Sequence, residues 1–132
     1  MIDITIKNKG KGPLPRTEIR DIIIAIFSIF LRCYKGIVIP ARVVLVWKKL
    51  KENRGEFELY THDITIDTAG DKETTIKTII HELWHYMEKI NPWVVQHIKA
   101  YKSEDFFYDQ VLGISEQLKE MRLKLKKQGN LL

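Results

Sequence analysis

Cysteine is nearly absent from this chain of 132 residues: Cys33 stands alone. A single thiol excludes an internal disulfide framework and points to a reducing compartment. Without a CxxC pair, a structural zinc ribbon or finger is excluded as well. Long apolar runs are also missing. The longest, residues 22–31 between Asp21 and Arg32, is ten positions long, where crossing a bilayer takes ~20. It begins too far into the chain, behind acidic as well as basic residues, for a secretory leader. Glycine and proline are sparse at 7 and 4, with no internal repeat and no low-complexity linker. The expectation is one domain over residues 1–132, with no membrane span and a cytoplasmic location.

What is present is an ordinary globular composition, 45% hydrophobic and 30% charged, with a net charge of +5. The excess is unevenly placed. From residue 117 to 132 there are five basic residues and one acidic, so four of the five net charges belong to a basic C-terminal extension. A second cluster is Lys48, Lys49, Lys51 and Arg54. Such runs are commonly solvated faces. No RNA- or DNA-binding signature accompanies them, and Trp47, Trp84 and Trp93 form no stacking platform, which argues against nucleic acid as the partner.

Ile2, Ile4 and Ile6 alternate with polar residues and predict a first strand. Gly10, Gly12, Pro13 and Pro15 form a loop into a buried helix of about residues 16–34, ended by Gly36. Residues 43–47 and 57–60 read as second and third strands joined by a charged, hairpin-like turn. Ile64 and Ile66, alternating with Asp63, Thr65 and Asp67, predict a short fourth strand at an edge. The signals then turn helical, at about 72–90, 92–101 and 104–127. Asn91-Pro92 is the expected start of the second of these, and Ser103 the expected N-cap of the last. Strands first and helices last make the class α+β. The expected architecture is an N-terminal helix and a small, mostly antiparallel twisted sheet, followed by two long helices that carry the chemistry.

His81-Glu82-Leu83-Trp84-His85 is an HExxH motif. Residues four apart on a helix share a face, so two imidazoles can hold one Zn²⁺ at about 2.0–2.1 Å. Glu82 then lies where it can take a proton from water in the open coordination position. Ile76, Ile79, Ile80, Leu83, Met87 and Ile90 form one apolar stripe, and the two histidines fall nearly opposite it, which argues against a packing role. A zinc site needs a third ligand. In the metzincin pattern, Gly and His would occupy the positions of Glu88 and Asn91, so that class is excluded. The last helix offers Glu104, Asp105 and Asp109. Phe107, Val111, Ile114, Leu118, Met121 and Leu125 make an inward-packing seam, and one step back along it is Glu104. That makes Glu104 the leading third ligand, with Asp105, Asp109 and, less favoured, His97 as alternatives. Tyr86, Tyr101, Tyr108, His62 and His97 have the chemistry to steady an oxyanion.

The stretch from Thr75 through His85, preceded by the strand Asp63-Ile64-Thr65-Ile66-Asp67, resembles a gluzincin zinc peptidase. It is most similar to the minigluzincins, small scaffolds related to the catalytic domains of integral-membrane zinc peptidases. The likeness covers about residues 57–115. It implies zinc as cofactor, Glu82 as general base and acid, and a peptide or protein substrate lying extended beside the 63–67 strand by β-augmentation. It also implies a latent form with a chain terminus in the cleft, for which the apolar tip Gly129-Asn130-Leu131-Leu132 would serve. Two positions depart from the family pattern. Phe107 stands where a small residue is usual, if Glu104 is the ligand. A second acid four residues after the ligand fits Asp105 with Asp109 better. The competing function is a non-catalytic metal-, nucleic-acid- or partner-binding module on a peptidase-like scaffold. Self-association through the C-terminal helix is a further partner that the seam allows.

Overall fold

The computed structural model describes residues 2–8, 10, 12–92 and 100–131, with the side chains of all but 100, 101, 130 and 131. The expected helix at 92–101, with Trp93, Val94, Val95, His97 and Ile98, lies outside the described residues apart from its ends, and so does the side chain of Tyr101. The elements in chain order are β1 (Asp3–Lys7), α1 (Arg16–Cys33), β2 (Arg42–Lys48), β3 (Gly55–Phe57), β4 (Asp63–Asp67), α2 (Lys72–Ile90) and α3 (Ala100–Leu131). This is the α+β content expected, with β1 ahead of the N-terminal helix.

The strand order is β1-β2-β4-β3. β1 pairs with β2 in parallel, β2 pairs with β4 in parallel, and only β3 runs antiparallel, against β4. The expectation of a mostly antiparallel sheet is therefore corrected. The physical reason lies in the connections: α1 joins β1 to β2, and a helical crossover returns the next strand in the same direction. The segment after β2 is not a hairpin turn either. It passes over the position of β4 to place β3 at the edge, and β4 then enters the gap. So β4, expected at an edge, is internal. Ile64 and Ile66 are buried there, while β3 is three residues long with Glu56 exposed, the character of an edge strand. Residues 58–60, expected in a strand, turn instead, closed by the His62 amide on the Glu58 carbonyl at 2.8 Å with His62 at φ 62°.

One contiguous core joins Ile4, Ile6, Val43, Leu45, Trp47, Ile64 and Ile66 of the sheet to α1 and α2. α2 lies against β3 and β4, and α3 packs across α1 and α2. Asp71 caps α2, its carboxylate accepting from the Thr74 amide at 2.7 Å, which satisfies one of the helix's free N–H groups. Asn91 closes α2. Its fully buried amide accepts from the Val38 N–H and donates to the Val38 carbonyl, each at 2.8 Å. Ser103 is inside α3 and not its N-cap.

The seam of α3 packs inward through its first half. Phe107 and Val111 are buried, Ile114 and Leu118 half-buried, and Met121 and Leu125 exposed. Arg122 pairs with Asp21 near the start of α1, so α3 runs antiparallel to α1 and carries its C-terminal end away from Glu104. At 1.5 Å per residue, position 131 is ~40 Å along the helix from Glu104. The backbone at position 131 is thus far from this chain's own HExxH helix. Among the described residues no helix is long and apolar enough to cross a membrane.

Candidate metal centre

α2 places His81, Glu82 and His85 beside β3. The apolar stripe of α2 faces the core, so the two imidazoles emerge on the far side, partly exposed, as the helical periodicity predicts. Their Nε2 atoms face each other at 3.1 Å. Two nitrogen ligands at 2.0–2.1 Å from one ion in tetrahedral geometry are about 3.3 Å apart, so the separation of the pair is close to that of two ligands of a single zinc.

The outer nitrogens are held by acids. His81 Nδ1 is 2.8 Å from Glu104 Oε2, and His85 Nδ1 is 4.0 Å from Glu88 Oε2. A carboxylate only accepts, so the Glu104 contact assigns the proton of neutral His81 to Nδ1 and leaves the Nε2 lone pair free for a metal. His85 is held below its ordinary pKa by burial and by the neighbouring His81 charge, against an upward pull from Glu88. This favours the neutral, ligating form.

Glu104 thus sits where the seam of α3 predicts, buried and facing the histidine helix, and it meets His81 at Nδ1. Both its oxygens are engaged away from the paired Nε2 atoms, Oε2 by His81 Nδ1 and Oε1 by Arg54 Nη2 at 2.7 Å. As placed, Glu104 is the hydrogen-bond partner of His81 Nδ1 and not a third member of the Nε2 pair. The residue four positions earlier, where a ligand would precede such a second acid, is Ala100, which has no donor. Asp105 is exposed on Lys77 at 2.9 Å, and Asp109 is exposed. His97 lies outside the described residues. Among the described residues no group of three His, Cys, Asp or Glu converges.

Glu82 is nearly buried and lines a cleft of about 710 Å³ with His81, His85, Glu88, Glu56, Phe57 and Leu59 among its walls. Burial first, then the negative charges of Glu56 and Glu104, push its carboxyl up to about 7, against the opposing pull of Arg54. A carboxyl that exchanges its proton near neutrality is suited to general acid–base work. β3 sits directly on this group. A Cβ at Gly55 would lie 2.6 Å from Thr78 Cγ2 and 3.1 Å from Glu82 Cγ, so only glycine lets the strand come so close. Gly55→Ala should cost about 1–3 kcal/mol in urea unfolding through this overlap.

Of the candidate oxyanion groups, Tyr86, Tyr108 and His62 are elsewhere, while His97 and the side chain of Tyr101 lie outside the described residues. Tyr86 donates to the Arg42 carbonyl at 3.1 Å and packs with Phe57 and His62, while Tyr108 lies under the Lys77 ammonium. None of these three tyrosine or histidine side chains lines the cleft. Sequence reasoning missed Arg54, Glu56 and Glu88. Arg54 belongs to a basic run whose other members, Lys48 at the end of β2 and Lys49 and Lys51 after it, are exposed lysines, and nothing in the sequence separates it from them.

No protein-family model, curated protein or solved structure matches this chain. What it does has to be argued from the site itself.

Proposed function

We propose that the chain is a zinc-dependent peptide hydrolase in which His81 and His85 supply two of the metal's ligands and Glu82 moves the proton; among the described residues no third ligand converges on this pair. The observation that carries this is the imidazole pair, with Nε2 atoms facing each other at 3.1 Å and Nδ1 atoms turned toward Glu104 and Glu88, directly beside a buried, proton-exchanging Glu82. Zinc, when bound, supplies Lewis acidity at the scissile carbonyl and makes water a nucleophile at neutral pH. Glu82 takes the proton of the attacking water and returns one to the leaving amine. Glu104 keeps the His81 ring in its ligating tautomer. β3, as the edge strand bordering the cleft, offers its backbone to an extended peptide, in place of the internal β4. The minigluzincin likeness of the HExxH segment supports the same reading, with a latent or an active resting state equally compatible.

Elemental analysis of purified protein tests it. Wild type should hold about one zinc per chain, His85→Ala should lose it, and Glu104→Ala should keep it with affinity lowered by 10–100-fold, as expected for an orienting carboxylate. Stoichiometric zinc in His85→Ala would remove the basis of the proposal.

A further inference from the structure

The geometry points to Arg54 as a positioning residue that fixes the His81 imidazole through Glu104; the inference rests on the reading of His81 and His85 as metal ligands. Three contacts run in series. Arg54 Nη2 donates to Glu104 Oε1 at 2.7 Å, Glu104 Oε2 accepts from His81 Nδ1 at 2.8 Å, and His81 Nε2 faces His85 Nε2 at 3.1 Å. The first link joins a half-exposed guanidinium to a nearly buried carboxylate.

An exposed ion pair contributes little, since both side chains remain free to move. This one differs at its base. The Arg54 carbonyl accepts from the Asp67 amide at 2.8 Å at the end of β4, and Gly55 is pressed against Thr78 and Glu82. The guanidinium is therefore delivered from an anchored backbone. On the other side, Glu104 is held by the buried face of α3.

A carboxylate with one partner can rotate about its last torsion and present either oxygen. With a partner on each oxygen, it cannot turn without breaking one of them. By occupying Oε1, Arg54 commits Oε2 to His81 Nδ1 and prevents Glu104 from swinging toward the Nε2 side, where it would compete as a ligand. Arg54 thus decides that Glu104 orients rather than coordinates, and holds the His81 proton on Nδ1 with the Nε2 lone pair toward the shared site. The loop between β2 and β3 thereby becomes part of the centre, although it supplies no ligand.

The experiment uses the full chain as wild type, Arg54→Met, Arg54→Lys, Glu104→Ala and the Arg54→Met/Glu104→Ala double variant. Long-range ¹⁵N–¹H spectra of the metal-free proteins read the His81 tautomer, and titration with Co²⁺ reads affinity and the visible d–d bands. Wild type should show His81 protonated on Nδ1. Arg54→Met should give mixed tautomers, about tenfold weaker Co²⁺ binding and altered d–d bands. Arg54→Lys should restore part of both, and Arg54→Met should add nothing in the Glu104→Ala background. A wild-type tautomer and affinity in Arg54→Met would overturn the inference while leaving the metal site standing, and so would losses that add in the double variant. A tautomer change in Arg54→Met, together with no Co²⁺ binding by wild type, would uphold the role of Arg54 and refute the hydrolase reading.

Discussion

Glu82→Gln should lower peptide hydrolysis at least 10³-fold while leaving zinc bound one per chain. The size of the effect follows from the position of the carboxyl. It lines the cleft beside both imidazoles, and burial together with the Glu56 and Glu104 charges brings its pKa to about 7. General acid–base catalysis by a positioned group contributes typically 10²–10⁴-fold. Here the same group must both accept the water's proton and supply the amine's, so both transfers are lost together. Gln is close to Glu in shape and leaves His81 and His85 untouched, so metal content should not follow activity. Hydrolysis of an unstructured protein substrate and zinc content, measured on one preparation, separate the two. Activity within a few-fold of wild type would show that Glu82 is not the proton carrier.

The same substitution should stabilise the metal-free protein, and by an amount that depends on pH. In the unfolded chain Glu82 titrates near the ordinary 4.5, and in the folded one at about 7. The folded state therefore binds the proton more tightly. The contribution of Glu82 to stability is greatest below pH 4.5, falls as pH rises toward 7, and is level above that. The full cost of the ionised, buried carboxylate is about 3 kcal/mol. Glu82→Gln carries no such charge. With zinc removed by chelation, it should unfold at a higher temperature than wild type at pH 8, by several degrees, and at nearly the same temperature at pH 4. A difference independent of pH would mean that Glu82 is not the source of the strain. Stability given up at neutral pH and recovered by disabling the group is the pattern expected of a site selected for chemistry rather than for packing.

The two strongest local signals in the sequence proved reliable. The apolar stripe of residues 76–90 placed α2 at 72–90, with His81 and His85 off the core face, because a 3.6-residue period is a property of the segment alone. The seam from Phe107 onward placed Glu104 against that helix for the same reason. Short strands were less legible. Residues 57–60 and the charged run before them looked like a hairpin because alternation and turn residues say nothing of which strand is a neighbour. The pairing of β4 between β2 and β3 was decided by where Ile64 and Ile66 could be buried.

By itself, then, the sequence determined the class, the HExxH helix, the face it presents and the acid that meets it. These depend on periodicity and on groups three or four residues apart, which local geometry brings together. Only the tertiary structure decided what each acid does. Whether Glu104 ligates or orients depends on which nitrogen of His81 it reaches and on what holds its other oxygen. Arg54, which holds it, is 50 residues away in sequence. It arrives there only because β3 is the outer strand of a sheet whose order the chain does not spell out.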